Sequence, residues 1–83
     1  MSPNPGPWNE PVLIQLPDAQ NAEIVANARE AHEILSRRWP AHSTGASYTS
    51  ALAACSQVLS GNAPAYLSRI AFVNAVEEAG FKQ

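Results

Sequence analysis

An α+β domain is what this sequence predicts: an N-terminal two-stranded antiparallel hairpin, at about 11–16 and 22–26, packed on three α-helices at about 28–39, 47–60 and 63–79. Three observations carry the prediction. The residues after Pro11 alternate with a period of two, later segments repeat their apolar residues with a helical period, and Pro40, Gly61 and Gly80 stand where those periods stop. Eighty-three residues make one such domain, because a chain of this size has a single core and buries only roughly 60 to 65% of its unfolded surface.

Residues 1–7, Met-Ser-Pro-Asn-Pro-Gly-Pro, hold three of the seven prolines. Each fixes its φ and removes a backbone donor, so the segment is expected to be an irregular arm, with the domain itself spanning 8–83. From Pro11 to Leu16 the side chains Val12, Ile14 and Leu16 alternate with Leu13 and Gln15, the pattern of a strand with one buried face. Pro17-Asp18 signals a turn. Ala22 to Ala26 is short and carries Ile24 and Val25, which suits a second strand paired with the first as a hairpin. A two-stranded sheet is marginal in water, so helices must cover it.

Asn27 followed by Glu30 resembles a capping box, in which the Asn side chain accepts from an orphan amide and the Glu reaches back. In the helix that follows, Ala28, Ala31, Ile34, Leu35 and Trp39 share one arc, while Arg29, Glu30, Glu33 and Arg37 lie outside it. Pro40 stops this helix, since it disfavours helical ψ at Trp39 and cannot donate to the ladder. The second helix has the cleanest stripe: Tyr48, Ala51, Leu52, Cys55, Val58 and Leu59, ended by Gly61 as a left-handed cap. Asn62 is placed to cap the third helix, with Pro64 in its first turn. At its far end Gly80 fits the left-handed position and Phe81 the one after it, where the ring can meet Val76 as in a Schellman motif. The third helix is apolar on more than one side: Tyr66, Ile70 and Val73 on one, Phe72, Ala75 and Ala79 on another, with Val76 between them. Such a helix is either central or shared with a partner.

Composition narrows the function classes. Hydrophobic residues at 46% with 14% charged oppose intrinsic disorder. A formal charge of -2 provides no long-range field for phosphate, which disfavours nucleic acid as a partner. The single Cys55 cannot form an internal disulfide, and no apolar stretch approaches membrane-spanning length. A cytoplasmic protein with no membrane partner and no cofactor is the expectation.

The candidate chemistry is sparse. His32, His42, Cys55 and scattered carboxylates include no short-spaced pair of ligands, so no metal site is expected. Cys55 falls in the middle of an apolar stripe, where a small buried hydrophobe is the simpler role than a nucleophile. Glu77-Glu78 are consecutive and most simply form a solvated face. One constellation gathers polar groups. Arg38 at the end of the first helix, with His42, Ser43, Thr44 and Ser47 beside the unsatisfied amides of the second, could hold a phosphate or carboxylate. Helix capping and the dipole at the end of the first helix explain the same residues without a ligand. Trp8, Trp39, Arg69 and Phe72 are candidates for an interface, against the alternative that the rings belong to the core and the Arg69 stem packs along it.

Trp8 before Pro11-Val12, the capped helix ending in Trp39-Pro40, and Gly45 with Tyr48, Ala51 and Cys55 form the first part of an ordered set. Leu59-x-Gly61 and Arg69 with Phe72, Ala75, Glu78, Ala79 and Gly80 complete it. Together they resemble a family of small alphaproteobacterial proteins catalogued as domain of unknown function 982, over nearly all of residues 8–80. The polar stretch Gln20 to Glu23 departs from that pattern where the second strand begins. The resemblance implies a short self-standing protein and no particular activity. The expected function is a non-enzymatic protein-interaction module that self-associates, as a homodimer or with another protein, because a helix apolar on two sides and a short sheet with free edges both invite a partner. The alternative is a small-molecule or anion-binding regulatory domain that uses the loop between the first two helices.

Overall fold

A computed structural model describes residues 7–82 of the chain; within the arm expected at 1–7, residues 1–6 lie outside the described part. The order of elements is β1 (Val12–Ile14), β2 (Glu23–Val25), α1 (Ala28–Glu33), α2 (Ala46–Leu59) and α3 (Ala65–Ala79). This is the α+β arrangement expected, a two-stranded antiparallel sheet followed by three helices.

β1 and β2 pair in the register Val12 with Val25, Leu13 with Ile24 and Ile14 with Glu23. Both strands are shorter than the sequence pattern, and each truncation has a visible cause. Past Ile14 the chain turns to the C-terminal segment: the Gln15 amide donates to Phe81 O at 2.8 Å, and Ile14 bridges to Lys82. Past Val25 the Ala26 amide donates to the Glu30 carboxylate at 2.9 Å and its carbonyl accepts from Trp8 N at 2.8 Å. β1 therefore has neighbours on both edges. Val12, Ile14, Leu16 and Val25 face the core, as the alternation requires.

Asn27 caps α1 by accepting from the Glu30 amide at 2.9 Å, and Glu30 reaches back one residue further than a capping box, to Ala26. The helix does not stay α to Trp39. After Glu33 it widens into a π-helical turn over Ile34–Arg38, and Trp39 then leaves it with ψ 130°. With bonds of i to i+5, the next donor to the Leu35 carbonyl would be the amide of residue 40, which a proline lacks. The Tyr48 hydroxyl supplies that hydrogen bond at 3.0 Å, tying α2 to the end of α1.

Ala51, Cys55 and Val58 form the buried stripe of α2. The helix ends in a Schellman motif at Gly61, φ 82°, with Asn62 N donating to Gln57 O at 2.8 Å. That bond corrects one expectation: Asn62 closes α2 and does not cap α3, whose N-cap is Pro64 itself, without a side-chain cap. The second Schellman motif, at Gly80 with φ 79° and Phe81 N donating to Val76 O at 2.9 Å, is the one the sequence indicated. It turns Phe81 back into the core. There Trp39 stands at the centre of an aromatic group, with ring centroids 5.0 Å from Phe81, 6.0 Å from Tyr48 and 6.3 Å from Phe72.

Candidate functional site

The loop between α1 and α2 is built differently from an open anion site. Arg38 does not turn into it. Its guanidinium makes a two-pronged ion pair with Glu23 on β2, with Nη1 donating to Oε1 at 2.8 Å and Nη2 to Oε2. The Arg38 hydrogen bond holds the Glu23 carboxyl below its ordinary range, and the same contact raises the Arg38 pKa. Its charge is thus matched within the chain.

Ser43 and Thr44 take part in local closure of the loop. Ala41–Ser43 form a 3₁₀ turn, Thr44 Oγ1 donates to Ala41 O at 3.1 Å, and Trp39 Nε1 donates to Ser43 O at 2.9 Å. His42 is exposed and Ser47 half-buried. The start of α2 already has an anion: Glu78, from α3, accepts from the Ser47 amide at 3.3 Å. Gly45, the N-cap, leaves room for it, since a Cβ there would lie 2.9 Å from Glu78 Oε1. His42, Ser43 and Gly45 line a hollow of about 270 Å³ whose far wall is that same glutamate. Helix-dipole stabilisation of an anion is therefore used inside the fold. Of the five residues Arg38, His42, Ser43, Thr44 and Ser47, the structure draws Arg38 away from the other four, and places a carboxylate where a bound anion would sit.

The interface candidates divide as well. Trp8, Trp39 and Phe72 are buried, so the surface role is corrected for all three. Their rings are the largest apolar groups available to a core this small, and Trp8 lies 5.7 Å from Phe72 between ring centroids. Trp8 also makes a buried hydrogen bond, from Nε1 to Ser68 Oγ at 3.0 Å, while Ser68 Oγ donates to Ala65 O at 2.6 Å. Among the described residues, every buried side-chain nitrogen or oxygen has a partner. Arg69 remains at the surface. Its Nε donates to Glu10 O at 2.8 Å and its guanidinium lies 3.6 Å from the Glu10 carboxylate, which pins the segment before β1 to α3.

Sequence reasoning set Tyr66 and Ile70 on one apolar side of the third helix but named neither them nor Leu67 among the interface residues. Tyr66, Leu67 and Ile70 on α3 are 58, 40 and 50% exposed, and across the sheet the pair Leu13 and Ile24 is 46 and 65% exposed. Tyr66 and Ile70 stand one helical turn apart, and Leu67 neighbours Ile70 at i,i+3. On one flank of this patch Pro7, Asn9, Glu10, Ala65 and Arg69 enclose a hollow of about 660 Å³. On the other, Ala46, Ser47, Ser50, Ala71 and Asn74 line a smaller one of about 230 Å³. The signal was present in the helical pattern, where Tyr66, Leu67 and Ile70 face away from the arc of Ser68, Phe72, Ala75 and Val76.

Cys55 is fully buried, and burial pushes its thiol up to about 11, which keeps it protonated and unreactive. Among the described residues, no three His, Cys, Asp or Glu side chains converge as metal ligands, and no helix is long and apolar enough to cross a membrane.

The sequence of residues 10–83 matches the family model described as protein of unknown function (DUF982), and the chain belongs to that family. Comparison with curated proteins and with solved structures gave no significant match.

Proposed function

We propose that this chain is a protein-interaction module with no catalytic activity of its own, and that it docks through the outward face of the first half of α3. The observation that carries the proposal is the adjacent set Tyr66, Leu67 and Ile70, each at least 40% exposed on a helix whose opposite face fills the core with Phe72, Ala75 and Val76. Scattered exposed apolar residues are ordinary, whereas contiguous apolar patches are where docking surfaces are found, and these three lie on one face of one helix.

The other sites support the same conclusion. The buried Cys55 lacks the electropositive, accessible setting of a nucleophile, and in the polar loop the Thr44 hydroxyl and the Ser43 carbonyl are engaged in local bonds. The alternative, an anion-binding regulatory site in that loop, is weakened by Glu78, whose negative charge occupies the helix terminus an anion would need.

A photoreactive benzoylphenylalanine in place of Ile70, in the full chain within its native host, tests the docking face. Adducts of defined mass are expected from position 70 and not from the exposed turn residue Asp18. Equal, low adduct formation at the two positions would refute the proposal.

A further inference from the structure

We draw no further inference here: the strongest candidate, the apolar surface patch of Tyr66, Leu67 and Ile70 on the first half of α3 with the hollow that Glu10 and Arg69 border, carries nothing beyond the docking role, because those two charges already pair within the chain and nothing in the structure shows what covers the patch.

Discussion

Replacing Glu78 by Gln removes the negative charge that α3 presents to the start of α2 while keeping the size of the side chain. The charge acts on amides with no intrahelical partner, through the 3.3 Å contact with the Ser47 amide, at a site open to water. An exposed carboxylate at a helix N-terminus contributes about 0.3 to 1 kcal/mol. A loss near the middle of that range, about 0.5 kcal/mol, lowers the Tm of a domain this size by about 2 to 4 °C. Salt identifies the cause: the difference between the two proteins should shrink from low ionic strength toward 1 M, where the Debye length falls to about 3 Å. Thermal unfolding at several salt concentrations reads both quantities. A double-mutant cycle with Gly45→Ala adds geometry, because the new Cβ would stand 2.9 Å from Glu78 Oε1 and displace that carboxylate, a cost absent once residue 78 is Ala. Coupling of about 0.3 to 1 kcal/mol is expected. Equal stability of Glu78→Gln and wild type at low salt, or a difference that ignores salt, would refute the electrostatic account. The same picture predicts that inorganic phosphate produces no saturable shift at backbone amides 43–48 of the wild-type chain.

Three further outcomes follow from the core and the caps. Ser68→Ala leaves the buried Trp8 Nε1 without an acceptor and should cost about 1 to 3 kcal/mol in urea unfolding; a change below about 0.3 kcal/mol would show that this bond is not holding the N-terminal segment. Gly80→Ala should cost about 1 to 2 kcal/mol, since φ is 79° and a Cβ there meets nothing within 4 Å, so the whole loss is conformational; unchanged stability would contradict the left-handed turn. For Cys55, the folded thiol titrates at about 11 against an ordinary 9.0, so the unfolded chain releases its proton first. Stability should be unaffected by this group below about pH 9 and fall by roughly 2 to 3 kcal/mol as pH rises to about 11, relative to a Cys55→Ala variant; parallel pH profiles for the two would count against a buried thiol.

Local pattern made much of the fold legible. The alternation of Val12, Ile14 and Leu16 marked the core face of the hairpin, and the spacing of Val76, Gly80 and Phe81 marked a Schellman turn down to its hydrogen bond. Contacts between distant segments were invisible to it. Arg38 and Glu23 are 15 positions apart and Ser47 and Glu78 are 31 apart, so no periodicity links them, yet these two contacts decide that the polar loop is internally neutralised. The π-helical turn at Ile34–Arg38 was hidden for a different reason: the same apolar residues suit an α or a π turn, and only the placement of Tyr48 against Leu35 O distinguishes the outcome. Ser68 could have been found, because it occupies the buried arc of α3 at helical spacing from Phe72 and Ala75, and a polar residue there requires a partner such as the Trp8 indole.

The two halves of α3 answer to different demands, and this explains where the free surface lies. The second half is committed to the chain itself. Glu78 meets the start of α2, Val76 accepts the amide that closes the Schellman turn, and that turn delivers Phe81 to the aromatic group and Lys82 to the open edge of β1. Its C-terminal end is fixed at these points, and residues 8–10 cross its first half through the Trp8–Ser68 and Glu10–Arg69 bonds. Those bonds settle Ser68 inside and Arg69 at the rim, and so leave Tyr66, Leu67 and Ile70 outward. Leu67 and Ile70 are 40 and 50% exposed, so the rest of each side chain is covered by the chain itself and helps to hold α3, while Tyr66, at 58%, stands furthest out.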